Sequence, residues 1–568
     1  MREPLNRSIR NVVETFVLKV SEMLRNLTCD SRQFPRPSVF EWFCLPLGLF
    51  LIFYYAWIMD DAYVYFRYID NMELLGIGLV YNRGEYVEGF SSPAWAFILA
   101  VLRSVGLGYW VIIRGVAVAA FVTFWAALVI INRKLSGTEA GTYIVNFPLI
   151  NLSLTYGVLC YFTSGLETPL VQVCGVLYAC FLLFPGVRLL QFVVGISPFI
   201  RHELAIPCLM ALAWFVVSRR RIPWTLVITG MVFGILLFVF RIYYYADLLP
   251  NTFYLKNETA VARGLLYLKD TVLPYSVHYI LPFLALCLAV LKITGRRETG
   301  YHMAERAMMV LIGLSFIVYV VKIGGDPRHY RFLAFPYCII MASTGGIVEA
   351  LMLRLGLRSS RMAVLALSLI LALFTVTRYP RQLDKHPLLP DVHHRPVDEI
   401  NDAALHRSFR AFSPSPWTLG SEIELGGAVE EFLERHPPNQ YVDVIWCPNC
   451  YFAYTAFPCQ VINGLGLTDP FLARTEMRSE RAAHKFGLMP LAEDMVRIRK
   501  KYGFRKGAFR TATENGDAPA WVEENLTTIE RIEQKVYNEH AFFENLRIAF
   551  MRTGRIRLAY TSLDEREK

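Results

Sequence analysis

Charge is scarce in this sequence. Asp, Glu, Lys and Arg make up 19% of its 568 residues, while 54% are hydrophobic. Soluble domains carry charge on about 25% of their residues, so a wholly soluble chain is excluded. Zinc-ligand sets are lacking too. "CPNC" at 447–450 offers two thiols at zinc spacing and Cys459 a third, with no His close by; a structural zinc site takes four ligands. A disulfide within this trio is expected if the segment is exported, and a redox role for the Cys-x-x-Cys pair stays open. The other eight of the eleven cysteines are scattered in or before the apolar part and read as small core residues. No cleavable signal peptide is expected, because the first apolar run starts only after residue 40 and no small-residue cleavage site follows it. The net charge of +10 does not point to nucleic acid. Its arginines sit in short clusters beside apolar runs, where basic residues set membrane orientation.

What is abundant is long apolar sequence. Twelve segments lie at roughly 43–59, 94–107, 110–131, 140–160, 169–185, 188–200, 203–217, 223–244, 273–291, 307–321, 332–353 and 363–377. Several fall short of the ~20 residues that a full span needs. The pattern is that of a polytopic α-helical membrane protein. Residues 379–568 are charged, Pro-rich and mixed in pattern, enough for one soluble domain. Before the first run, Leu5, Ile9, Val12, Val13, Phe16, Val17, Val20 and Leu24 make an amphipathic helix that would lie on the membrane surface.

Basic clusters at Arg133 and Lys134, 219–221, Arg296 and Arg297, and Arg354, Arg358 and Arg361 should be cytoplasmic. Alternation from these anchors is consistent if 94–107 does not cross. Eleven segments then cross, with residues 1–40 inside, a transmembrane domain over 41–378 and the C-terminal domain outside. The first outer loop, 60–93, holds six acidic residues and two basic ones. On this map every loop of unusual polarity falls on the outer side: "DDAYVYFRYIDN" from residue 60, "TSGLETP" (163–169), "IRHE" (200–203), "ADLLPNTFYLK" (246–256) and "KIGGDPRHYRF" (322–332). One outward-facing site is expected.

Read as a helix, the first of these stretches sets Asp60 and Arg67 above one another, with Ala62, Phe66 and Ile69 on an apolar face turned to lipid. A helix-capping pair is the plainer alternative, although one Asp would satisfy it. Two glycines, then Asp326, Arg328, His329 and Arg331, suit an anionic group such as phosphate; a solvated turn is the alternative. Glu167 reads equally as a cap before Pro169, and Arg201 with Glu203 as a local ion pair.

"DDAYVYFRY", "GLVYNRGEYVEGFSSPAW", "SGLET", "DLLPNTFYLK", "GGD…YRF" and "VINGLGLTD" occur in this order between residues 60 and 469. Together they resemble one bacterial family of GT-C superfamily glycosyltransferases. Its relatives include the terminal arabinofuranosyltransferases of the cell wall and proteins described as flagellar motor control. The resemblance implies a multi-helix membrane domain and an extracytoplasmic C-terminal domain, read here as α/β. It implies a polyprenyl-phosphate sugar donor and a glycan or lipid acceptor at the outer face of the bacterial inner membrane. It also implies a catalytic acid in the first outer loop, here Asp60 with Asp61 beside it. Two departures stand out: Arg201-His202-Glu203-Leu204 replaces an Arg-Pro-Glu-Gly stretch, and "AAHK" (482–485) replaces a Gly-His-Glu-Lys-like one.

On this reading Asp60 is the general base, and Asp61 hydrogen-bonds sugar or acceptor. Arg331, with Arg328, His329 or Lys322, holds the donor phosphate, and Arg67 orients Asp60 or touches the phosphate. Glu167, Arg201, Glu203, Asn251, Tyr254 and Asp326 are the expected substrate-binding residues. No cofactor or metal is expected, since single-phosphate donors often do without one. A lipid-linked sugar transporter is weighed against by the few polar residues within the spans. A non-enzymatic assembly or motility factor would not need Asp60.

Overall fold

The computed structural model of the chain describes residues 37–59, 61–136, 145–256, 259–294, 302–326, 330–357, 360–377, 453–454, 460–464, 466–476 and 489–558. The expected N-terminal amphipathic helix, Asp60, Arg328, His329, Cys447, Cys450, Cys459 and the "AAHK" stretch lie outside the described residues.

Most apolar segments form single helices; the described part of 140–160, and 332–353, are each divided between two. The chain runs α1 (Val39–Tyr54), α2 (Ala62–Glu73), α3 (Pro93–Ser104), α4 (Tyr109–Ser136), α5 (Phe147–Leu154), α6 (Tyr156–Cys160), α7 (Thr168–Leu183) and α8 (Arg188–Ile200). A 3₁₀ turn at His202–Leu204 leads into α9 (Ala205–Arg219), then α10 (Trp224–Tyr245), α11 (Asn251–Lys256), α12 (Val261–Val272), α13 (Val277–Thr294) and α14 (Met303–Lys322). A second 3₁₀ turn, Arg331–Leu333, precedes α15 (Ala334–Ala342), α16 (Ile347–Arg354) and α17 (Arg361–Val376). Among the described residues, five helical stretches are long and apolar enough to cross a membrane: α4, α10, α14, and the two that each begin with a 3₁₀ turn, His202–Arg219 and Arg331–Arg354. Six more apolar helices, α1, α3, α7, α8, α13 and α17, are shorter. At 12 residues, α3 rises about 18 Å, well under a hydrocarbon core of about 30 Å.

The two ends of this bundle differ. At one end the Ser38 hydroxyl and Glu41 close a capping box at the start of α1. Glu41 also accepts from Arg133 and Asn146, at 2.8 and 2.9 Å, in a fully buried cluster. Arg133 is therefore not the solvated anchor its sequence suggests. About 36 Å away along α4, Tyr109 stacks on Phe66 of α2, ring centroids 4.0 Å apart. That end gathers the polar loops.

The C-terminal part differs from expectation. Among the described residues it holds no strand beyond isolated bridges. It consists of α18 (Pro470–Ala473), α19 (Met489–Tyr502), α20 (Ala508–Glu514), α21 (Ala520–Val536) and α22 (Phe542–Ala549). The cause is local: Val522, Ile529, Ile532 and Val536 recur at helical spacing and bury one stripe of α21. They share a small core with Phe471, Met495 and Phe509.

Candidate active site

Four separated stretches meet at the polar end. Their approach is enforced by backbone contacts. Met59 donates to the Ser164 carbonyl at 2.9 Å, and the Trp95 indole donates to the Gly165 carbonyl at 2.9 Å. Gly165 has φ +79°, and a Cβ there would lie 2.8 Å from the Ala62 side chain, so only glycine lets the 163–169 loop lie against the start of α2. On the other side, Gly324 and Gly325 have φ +85° and +71° and turn the chain after α14. Arg263 of α12 donates to the Gly324 carbonyl at 2.6 Å, and the Phe332 amide donates to the Tyr267 hydroxyl at 3.0 Å.

The side chains so assembled are two arginines and four carboxylates. Arg331 bonds Asp61 at 2.8 Å and lies 3.5 Å from Asp326. Arg201 bonds Glu167 at 2.8 Å and holds Glu203 through two nitrogens, at 2.8 and 3.2 Å. Phe332 sits between them, with the two guanidinium carbons 4.7 and 5.8 Å from its ring centroid. Neither Asp61 nor Glu167 caps its helix: both stand at the N-cap with no capping bond. Their carboxylates go to the arginines instead, which removes the capping alternative for these two.

Burial makes the cluster electrostatically strong. Glu167 and Asp326 are at most 1% exposed, and the arginines 6–7%, while Asp61 is 24% exposed. Burial works against the Arg201 charge, but Glu203 and then Glu167 outweigh it and hold the guanidinium protonated. One Glu167 oxygen is buried without a hydrogen-bond partner. Beside the cluster a cavity of about 10 Å³ is lined by Thr168, Tyr319, Phe316, Phe332 and both arginines, room for one water. Tyr65 is buried at the edge, accepting from the Ser92 amide at 3.1 Å. Burial raises its hydroxyl pKa first of all, with Glu167 adding to the effect. No group of three or more His, Cys, Asp or Glu among the described residues is placed to hold a metal.

The other expected site residues lie elsewhere. Lys322 ends α14 with an exposed side chain, and its carbonyl accepts from Ala260. Arg67 is buried, donates to the carbonyls of Tyr81 and Ala453, and lies over the Tyr81 ring. The helix that carries it is not a surface helix with one face in lipid. Residues Ala62–Asn71 are buried on every side, because the 80s loop, α4 and the 453–454 segment enclose it.

Asn251 and Tyr254 join a second polar cluster that seats the C-terminal segment. The Asn251 amide donates to the carbonyls of Gly466, Leu467 and Asp469 at 3.0–3.1 Å. Tyr254 donates to Asp247, which also pairs with Arg474 and, at 3.2 Å, with Lys535. Arg499 bridges Glu85 and Asp469 at 3.2 and 3.3 Å, and Asn82 exchanges two bonds with the Val461 backbone. The motifs "NRGEY", "NTFY" and "GLTD" thus hold the 80s loop and the C-terminal helices together. A third group links the clusters. Glu88 grips Arg241 through two bonds, at 2.6 and 2.8 Å, and Arg241 reaches the His202 ring at 2.6 Å. Burial pushes the Glu88 carboxyl up and Arg241 pulls it back. Arg241 carries no motif, but an arginine inside the apolar run 224–245 is itself a signal of function or pairing.

Comparison with known proteins agrees with the resemblance read from the motifs. The chain is 28% identical over 342 residues to a protein named terminal beta-(1->2)-arabinofuranosyltransferase from Mycobacterium tuberculosis, covering 51% of this chain and 52% of that one. It is 24% identical over 346 residues to a protein of the same name from Corynebacterium glutamicum, covering 50% of this chain and 47% of that one. The chain spans about half the length of the curated relatives it matches. No family model matches, and no solved structure does.

Proposed function

We propose that this protein is an integral membrane glycosyltransferase. It moves a sugar from a polyprenyl-phosphate donor to a cell-envelope glycan or lipid acceptor at the outer face of the inner membrane. The observation that carries the reading is the meeting of the described residues 61–71, 163–169, 200–203, 322–326 and 330–332 around two buried arginines, beside helices apolar enough for a membrane. The similarity to two terminal arabinofuranosyltransferases favours a sugar transfer.

The chemistry follows from the residue types. The donor phosphate docks at Arg331, exchanging with the partly exposed Asp61 carboxylate that pairs with it in the free protein. Lys322, Arg328 and His329 belong to the same stretch and add positive charge. Arg201 is held by two glutamates and orients Glu167 and Glu203 toward the sugar hydroxyls, with Asp326 alongside. Asp60 takes the proton of the acceptor hydroxyl. That oxygen bonds to the anomeric carbon as the carbon–phosphate oxygen bond breaks. The electron pair leaves with polyprenyl phosphate, whose charge Arg331 stabilises. The C-terminal helices close over the acceptor side.

The test is release of polyprenyl phosphate by purified protein, read by mass spectrometry. A panel of polyprenyl-phosphate sugars, arabinofuranose first, is offered with envelope extract as acceptor. Release from one donor, abolished by Asp60→Asn, is expected. No release from any donor by folded protein, or full release by the variant, would overturn the reading.

A further inference from the structure

The C-terminal helix α22 carries an unusual face. Its buried side is Asn545, Ile548 and Ala549. Its opposite side, at spacing i, i+4, i+7, is Phe543, Arg547 and Phe550, which share one stripe of the helix. Phe543 is 84% exposed and Phe550 62%. Two large aromatics on one exposed stripe are a local apolar patch.

Position decides what the stripe meets. α22 lies against the last turn of α10: Asn545 donates to the Tyr243 carbonyl at 2.8 Å, and Asn538 to that of Tyr244 at 3.2 Å. His540 stacks on the Tyr244 ring at 5.1 Å. α10 is one of the five membrane-length helices, and Ile228, Ile235, Val239 and Tyr243 expose apolar surface along it. The Phe543–Phe550 stripe therefore lies beside the end of an apolar, membrane-length helix. Aromatics at that level are the usual interfacial anchors. Arg547 within the stripe pairs with Glu544, and Arg552, Arg555 and Arg557 follow it in sequence, all exposed; such cations are drawn to anionic lipid headgroups.

We propose that α22 is a membrane anchor, with Phe543 and Phe550 seated in the headgroup layer beside α10 and the four arginines on anionic lipid. The inference is independent of the reaction proposed above. It ties the C-terminal helices to the bilayer as well as to the outer loops.

The test places p-benzoylphenylalanine at Phe543, at Phe550 and, as control, at the exposed Glu514 of α20. Each full-length protein is reconstituted into phosphatidylcholine vesicles with and without phosphatidylglycerol and irradiated. The first two positions are exposed, so the substitution leaves the fold intact. Lipid adducts at 543 and 550, severalfold above 514 and increased by phosphatidylglycerol, are expected. Adducts no higher than the control, yields indifferent to phosphatidylglycerol, or crosslinks to a second copy of the chain in place of lipid would each overturn the anchor.

Discussion

Arg331→Gln separates structure from chemistry most sharply. The substitution removes the guanidinium that faces Asp61 at 2.8 Å and Asp326 at 3.5 Å. Asp326 is 1% exposed, so a buried charge loses a partner, which costs about 3–5 kcal/mol. Asp61, with a quarter of its side chain exposed, recovers water and adds little. Thermal unfolding in detergent should show the loss directly. The paired variant Asp326→Asn with Arg331→Gln removes the facing carboxylate's charge as well and should regain most of that stability. Donor affinity should not recover. Truncating one side of a buried charge pair to a ligand phosphate costs about 2–5 kcal/mol, a weakening of about 30-fold or more. Both quantities are read on the same preparation, by melting and by binding of a fluorescent polyprenyl phosphate. If the paired variant regained stability and bound the lipid phosphate like the parent, Arg331 would be only a structural ion-pair residue. The phosphate assignment would then fall.

Other outcomes follow from particular contacts. Gly325→Ala puts a Cβ at φ +71° and 2.3 Å from the Tyr267 ring, and should cost about 1–3 kcal/mol of stability; an unchanged melting temperature would refute the close packing. Asn251→Ala strands three main-chain carbonyls and should free the C-terminal helices for limited proteolysis at protease levels that the parent resists. Glu533, buried first of all and relieved by the Gly507 amide and Arg499, has its carboxyl pushed up to about 7. The folded state thus binds a proton between pH 4.5 and 7 that the unfolded state has given up. Its contribution to stability is complete below pH 4.5 and is lost as the pH rises through 7. Glu533→Gln should flatten that part of the melting-temperature profile, and a profile identical to the parent's would show that Glu533 does not titrate there.

Much of this organisation could be read from the residues. Apolar runs such as 110–131, 223–244 and 307–321 lie within α4, α10 and α14, because helices in lipid need only length and apolarity. The run 332–353 instead breaks between α15 and α16, where Gly346 adopts φ +72° against the Ser136 backbone. The gathering of the loop charges at one end was legible for a similar reason: charges at helix mouths have few places to go. Partner choice was not. Asp61 finds Arg331, 270 positions away, and Asn251 finds the 466–469 backbone, more than 200 positions away. No local period reports such contacts. Nor was the helical character of the described C-terminal residues drawn from the sequence, where an α/β domain was expected, although the stripe Val522, Ile529, Ile532, Val536 has helical spacing.

The three residues 201–203 face different neighbourhoods in turn. Arg201 closes on Glu203 and on Glu167, while the His202 ring between them meets Arg241, which Glu88 grips. Such a segment is read by its count as much as by its letters. One residue added or removed upstream of it would hand the arginine's place to its neighbour and leave two buried carboxylates facing the wrong partner. Length at this turn should therefore be held more strictly than the identity of the apolar residues on either side of it.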